Sequence, residues 1–230
     1  MKLKLVKKQT EANDARSFFF EPQEKVDFLP GQYFYITLPR LNYNDDRGPV
    51  RQFTISSSPT EGNLLRITTR IRSESGFKKT LDELNIGESA DGQGPNGTFS
   101  LNNESEINHV FIAGGIGITP FRSIIKNAID SKFEILTKLI YSNSNSGFVF
   151  KHELDKWVTE NKWFSVRYHD SDTAGRLDTK MITKLTTNII QPTTHFWLSG
   201  HPSFVSTMEE ILNLIGINSE HVHLDKFTGY

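Results

Sequence analysis

Along the first hundred residues, apolar side chains recur at alternate positions in short runs broken by Pro, Gly, Asn and Asp. A period of two sends alternate side chains to opposite faces, so these runs predict β-strands over 2–6, 17–20, 32–38, 52–56, 64–69 and 88–91. One interruption spaces Phe77, Leu81 and Leu84 as the buried stripe of a short amphipathic helix. The expected architecture of this part is an antiparallel β-barrel or sandwich.

After the polar stretch 102–108 the rhythm changes to an apolar run, a turn and then a helical period, several times over. Expected strands cover 109–113, 135–141, 164–168, 195–198 and 221–224, with helices over 120–129, 150–159, 178–188 and 202–214. This alternation predicts a parallel α/β sheet. The chain is thus expected to form two domains, 1–103 and 104–230, a division that suits 230 residues. In parallel sheets ligands gather at the carboxyl ends of the strands, which directs the search to the turns beginning at Gly114, Ser142, His169 and Ser199.

Composition narrows the chemistry. The formal net charge of -1 provides no field for nucleic acid or an anionic membrane. Lys2, Lys4, Lys7 and Lys8 interleave with Leu3, Leu5 and Val6, as on the solvated face of a strand. With no cysteine there is no disulfide, thiolate nucleophile or cysteine-held iron–sulfur cluster on the chain. No run approaches the roughly 18 apolar residues of a membrane span, and no apolar leader opens the sequence, so a cytoplasmic location is expected. The seven histidines show no metal-ligand spacing, and no metal is expected. Neither a Gly-x-Ser-x-Gly elbow nor a paired-carboxylate arrangement argues for hydrolysis.

Two segments carry candidate ligand-binding chemistry. Gly114-Gly115-Ile116-Gly117-Ile118-Thr119-Pro120 lies between an apolar strand and a helix. Glycines let backbone approach a ligand, Thr119 is placed to cap the helix, and Pro120 suits its first turn, leaving N–H groups and the helix dipole for an anion such as a pyrophosphate. The third glycine of the usual dinucleotide fingerprint is missing, so the pattern by itself also fits a plain strand-to-helix turn. Arg51-Gln52-Phe53-Thr54-Ile55-Ser56-Ser57 offers an arginine, an aromatic ring and a hydroxyl along one strand, which a period of two is expected to bring to one face. They suit a phosphate, a flat heterocycle and a ring nitrogen respectively.

In this order and spacing the two segments resemble the flavin and nicotinamide motifs of the ferredoxin–NADP reductase superfamily. Further matches run along the chain: Pro30-Gly31-Gln32-Tyr33, Ser75-Gly76-Phe77-Lys78-Lys79 with Leu81 and Leu84, Gly94-Pro95-Asn96-Gly97-Thr98-Phe99, Leu198-Ser199-Gly200-His201-Pro202, and the ending Phe227-Thr228-Gly229-Tyr230. The resemblance implies a flavin-binding antiparallel β-barrel followed by an α/β nucleotide-binding domain, with the active site between them. It implies FAD and either NADH or NADPH as cofactors. Arg51 would bind the FAD pyrophosphate, Phe53 would lie against the flavin, and Thr54, the first catalytic candidate, would sit near flavin N5. Gln52, Thr69, Gly76, Phe77, Lys78 and Thr80 complete the implied flavin site. Gly115, Gly117, Thr119 and Gly200 would line the nicotinamide nucleotide site.

Ser199, the second catalytic candidate, stands where better-known members carry cysteine facing the nicotinamide C4; its other reading is an N-cap for the following helix. Phe227 and Tyr230 are candidates to cover the flavin, Tyr230 also as a catalytic candidate, though burial of such rings orders a tail without functional demand. Asp170 and Asp172 would repel a 2′-phosphate and accept from a ribose diol, which favours NADH; the same carboxylates also suit a turn.

The expected activity is hydride exchange between nicotinamide C4 and flavin N5, with single electrons passed to or from a separate carrier protein such as ferredoxin or flavodoxin. The alternatives are a reductase serving an oxygenase, a free-flavin or ferric reductase, or, from another class, a nucleotide-sensing or relay subunit with little turnover.

Overall fold

The computed structural model describes residues 1–12, 14–101, 107–134 and 136–227. They form two compact units; the first takes Met1–Ser100 with Arg122–Asn127, and the second takes the remainder.

The first unit contains β1 (Lys2–Ala12), β2 (Ala15–Pro22), β3 (Tyr33–Thr37), β4 (Val50–Thr54), β5 (Leu65–Arg70), the helix α1 (Gly76–Glu83) and β6 (Ser89–Asn96). Its six strands are ordered β4-β3-β6-β1-β2-β5, every pairing antiparallel. Beyond β4 the chain swings onto β5 through the antiparallel bridge Ile55↔Ile67, and the Ser56 N–H donates to the Arg66 carbonyl at 2.7 Å, so the outer strands meet and the sheet closes on itself. Alternation fills the interior: Leu3, Leu5, Phe18, Phe20, Phe34 and Phe53 all belong to one buried cluster, with Leu5 directly opposite Phe20 and Phe34 opposite Phe53. Phe77 and Leu81, four apart on α1, pin that helix to the same cluster. β1 runs well past the expected 2–6, because its second half is polar and is held by pairing with β2, through Thr10↔Arg16, and not by burial.

From β7 on, the chain alternates β7 (His109–Gly114), α2 (Ile118–Asp130, whose residues Arg122–Asn127 group with the first unit), β8 (Thr137–Asn143), α3 (Lys151–Glu160), β9 (Phe164–Asp170), the short α4 (Ser171–Ala174), α5 (Thr179–Thr186), β10 (His195–Gly200), α6 (Pro202–Leu214) and β11 (Val222–Lys226). These five strands are all parallel, in the order β11-β10-β7-β8-β9. β7 and β10 read as near-continuous apolar runs because a central parallel strand is covered on both faces. The chain adds β8 and β9 on one side of β7 and then returns to lay β10 on the other. The order therefore reverses between β7 and β10, the place where such sheets open a crevice at their carboxyl ends.

Candidate functional site

In the first unit, α1 begins where its N-cap Ser75 accepts from the Lys78 N–H at 3.3 Å. Over this helix start lies the loop 38–49. The Asn42 N–H donates to Thr80 Oγ1 at 3.0 Å, Tyr43 and Asn42 both donate to the Glu83 carboxylate, and the Lys79 ammonium sits 3.7 Å from the centre of the Tyr43 ring. Gly76 is required by this packing, since a Cβ there would stand 2.3 Å from the Asn44 carbonyl oxygen. The Thr80 hydroxyl is used inside the protein, donating to the Gly76 carbonyl at 2.8 Å.

Arg51, 5% exposed, reaches toward the same place from β4. Its Nη1 donates to the carbonyls of Arg47 (3.1 Å), Gly48 (2.9 Å) and Val50 (2.6 Å), and its Nη2 to Asp45. The second Asp45 oxygen accepts from the Phe77 N–H at 2.8 Å and the Ser75 hydroxyl at 3.2 Å. Burial alone would push the Asp45 carboxyl up, but the N–H groups of Phe77 and Arg47 and the Arg51 charge outweigh it and hold it below its ordinary value. Lys78 is 6% exposed; burial first, then repulsion from Arg72, Arg51 and Arg47, push its ammonium down to about 8 against the pull of Glu74. The Arg51 guanidinium and the N–H at the helix start thus converge on one carboxylate, and Lys78 lies close enough to feel the charges of Arg72, Arg51 and Arg47. The donor set fits an anion.

On β4 the period of two corrects one expectation. Arg51 and Phe53 do share a face, but the next residue on that face is Ile55, so the Thr54 and Ser56 hydroxyls fall on the other. Phe53 packs on Phe77, ring centres 5.8 Å apart, and is 8% exposed. Gln52 is exposed. Thr54, 8% exposed, makes no side-chain hydrogen bond among the described residues, whereas Thr69, 3% exposed, has only a 3.4 Å contact to the Arg70 carbonyl.

In the second unit, the glycine-rich segment forms a single 3-10 turn, Gly115–Gly117, and α2 starts at Ile118. Thr119 is therefore not the helix cap: it lies inside the helix, and its hydroxyl donates to the Ile116 carbonyl at 3.1 Å. No side chain caps the turn. The glycines serve different ends. A Cβ on Gly117 would lie 2.2 Å from the Ser199 carbonyl oxygen, and one on Gly200 would lie 2.8 Å from the Gly114 carbonyl oxygen, so both permit the ends of β7 and β10 to touch. Gly115, at φ +56°, has nothing nearer than Asn143 Oδ1 at 3.9 Å, which leaves its backbone open to a ligand.

Ser199 is fully buried, and His201, accepting from the Ser203 N–H at 3.3 Å, is the N-cap of α6 in its place. The Ser199 hydroxyl instead points to Asp225 at 3.5 Å, a residue sequence reading missed. The parallel register sets Ser199 against Asp225, and burial pushes that carboxyl up to about 6, opposed by the serine hydroxyl. Phe227 follows β11 and its N–H donates to the Gly200 carbonyl at 2.9 Å; Tyr230 lies outside the described residues. Asp170 caps α4, accepting from the Asp172 N–H at 3.0 Å, and Asp172 is exposed. Next to them is a cavity of about 260 Å³ whose lining includes Ser142, Ser171, Arg176 and Phe204. Among the described residues no group of His, Asp and Glu could hold a metal ion, and no helix is long and apolar enough to cross a membrane.

Comparison with known proteins matches both units. The FAD-binding domain model of oxidoreductases covers residues 2–101, and the NAD-binding domain model of oxidoreductases covers residues 111–210. This chain belongs to the ferredoxin–NADP reductase superfamily. It is an FAD- and NAD(P)-binding oxidoreductase. The flavohemoprotein of Bacillus subtilis (strain 168) is 24% identical over 245 residues, which span 97% of this chain and 58% of that protein. The chain thus matches little more than half the length of that relative. Among solved structures, the ferredoxin–NADP+ reductase of Plasmodium falciparum superposes with a TM-score of 0.84 at 20% identity, over 98% of this chain and 95% of the other. The cytochrome P450 reductase of Amycolatopsis gives 0.82 at 20% identity, over 99% and 70%. At such identity these superpositions speak for the superfamily fold.

Proposed function

We propose that this superfamily member is an NAD(P)H-dependent flavin reductase that passes electrons to a separate carrier protein such as ferredoxin or flavodoxin, with residues 1–103 holding FAD and 104–230 the nicotinamide nucleotide. The observation that carries this reading is the convergence of Arg51 and the α1 start on one carboxylate, with the Lys78 ammonium close enough to feel the Arg51 charge, within the region matched by the FAD-binding model. Bound FAD would supply the chemistry, taking a hydride at N5 and giving up single electrons. The protein's part is to bind and orient. Arg51, the Lys78 ammonium and the N–H groups of Gly76 and Phe77 would hold the diphosphate, while Phe53 would pack beside the ring system and Gln52 and Thr69 would border it. The unpartnered hydroxyl of Thr54 would hydrogen-bond its reacting edge. Gly115, Gly117 and Gly200 would admit the nicotinamide nucleotide, Ser199 with Asp225 would face the transferring carbon, and Phe227 with Tyr230 would cover the flavin. The names of two similar structures pair the fold with ferredoxin in one case and a cytochrome P450 in another, which supports a reductase with a protein partner.

For the nucleotide we propose NADH, because Asp170 and Asp172 place negative charge where a 2′-phosphate would lie. Arg176 and Ser171 on the nearby cavity favour NADPH instead. One experiment tests both statements: record the flavin spectrum of the purified protein, identify the released flavin, and titrate anaerobically with NADH and then NADPH. Rapid bleaching by NADH is expected, with at least a tenfold weaker response to NADPH. If NADPH is the better reductant and Arg176→Ala removes that advantage, the carboxylate argument fails. A colourless protein that takes up no FAD overturns the whole proposal.

The cation cluster also gives a pH dependence. The folded value of Lys78, about 8, lies below the ordinary lysine value of 10.5, so folding releases this proton between those two pH values. This group's contribution to stability therefore grows as pH rises through that window and is least favourable below it. A bound diphosphate draws the proton back, so FAD affinity should fall about tenfold between pH 7.5 and 9.5. Fluorescence titrations check this, and Lys78→Met should flatten the profile.

A further inference from the structure

The loop 38–49 is exposed along most of its length, yet the Asp45 side chain is only 6% exposed. It is turned in from the loop to the start of α1, away from its neighbours Asn44 and Asp46, which face solvent. Its two oxygens take four donors: the Arg51 guanidinium and the Arg47 N–H at 3.1 Å on one, the Phe77 N–H at 2.8 Å and the Ser75 hydroxyl at 3.2 Å on the other. These donors come from β4, the loop and α1, so a single carboxylate ties all three together.

Arg51 and the Phe77 N–H are the donors that the proposed function assigns to the FAD diphosphate. The Phe77 N–H and the Arg51 Nη2 hydrogen that Asp45 takes cannot serve a diphosphate at the same time. Each donor hydrogen serves one strong acceptor, and two anions pressed together in a buried site repel. Binding on these donors therefore requires Asp45 to leave. The loop allows that: Asp45 is bordered by solvent-facing residues, and Gly48, whose N–H donates to the Asp45 carbonyl at 2.9 Å, sits at φ +70° with open space around it. Turned outward, the carboxylate would regain water as its partner.

We propose that Asp45 is an intramolecular stand-in for the FAD diphosphate, a carboxylate latch that keeps Arg51 and the α1 start in ligand-binding geometry and competes with the cofactor for them. The inference rests on the proposed flavin site. Its consequence is that this residue weakens FAD binding while stabilising the flavin-free fold. A residue that merely shaped the site would strengthen both.

The test compares the full chain with its Asp45→Asn and Asp45→Ser variants, each stripped of flavin and titrated with FAD by fluorescence quenching, with riboflavin as the phosphate-free control. Both variants should bind FAD at least tenfold more tightly than the parent, should release it more slowly from the holoprotein, and should bind riboflavin within twofold of the parent. Flavin-free variants should melt at lower temperature than the flavin-free parent. If a variant does not fold without flavin, the release rate from its holoprotein is compared instead. Equal or weaker FAD binding, or tightening that extends equally to riboflavin, overturns the latch. A parent protein that binds FAD but whose Asp45 variants do not tighten sinks only this inference, whereas a parent that binds no FAD sinks the proposed function beneath it.

Discussion

Arg51→Ala is expected to weaken FAD binding about 100-fold, read as a rise in Kd by flavin fluorescence and as loss of yellow colour on purification. Charge-assisted hydrogen bonds are worth about 1.5–3 kcal/mol each, and about 1.4 kcal/mol is a factor of ten, so losing a forked donor to the diphosphate yields a change of this order. The same substitution removes the anchor that gathers the carbonyls of Arg47, Gly48 and Val50. It also removes the counter-ion that ties Asp45 and its loop to β4, so the melting temperature should drop as well. The two effects separate in the double variant Arg51→Ala with Asp45→Asn. Stability should return in large part, because no uncompensated charge remains, while FAD binding stays well below the parent's. Flavin retention unchanged in the single variant would remove Arg51 from the site.

Gly117→Ala addresses the other unit. The new methyl would sit 2.2 Å from the Ser199 carbonyl oxygen and 2.6 Å from the Gly200 Cα, both backbone atoms that no rotamer change can move aside. The turn after β7 or the end of β10 must shift, and overpacking of this kind costs about 1–3 kcal/mol. A misplacement near 1 Å of reacting groups costs about 100-fold in rate. FAD content should therefore be unchanged while stopped-flow reduction of the flavin by NAD(P)H slows about 100-fold. Reduction at the parental rate would mean that the turn does not position the nucleotide.

The elements that sequence reading recovered share one property: their signal is local. Alternating Leu3, Leu5, Phe18 and Phe20 declare strands, and α6 occupies the expected 202–214 because an apolar period follows Pro202. What it missed depends on contacts between distant residues. The polar half of β1 is a strand only because β2 pairs with it. Asp45 sits among polar loop residues in the sequence, and its buried role depends on Phe77, 32 positions away. Asp225 reaches Ser199 through the parallel register of β10 and β11, across 26 positions. The superfamily motifs point to the neighbourhoods proposed for the site; the alternation on β4 was already legible in the sequence, where Ile stands at 55, whereas the true start of α2 depended on where its turn closes. There Thr119 proved to be helix interior, and His201 proved to be the cap.

Closure of the first sheet and openness of the second have different consequences for solution behaviour. Where Ile55 bridges to Ile67, the barrel gives up the unpaired rim that would recruit a strand from another molecule. The parallel sheet keeps two rims, β11 and β9. β11 is five residues long, with Lys226 exposed, and β9 turns Ser165 and Arg167 to solvent. Short length and outward charge protect these rims in the native fold; because the closed barrel offers no such rim, self-association on heating should begin from the nucleotide-binding half of the chain.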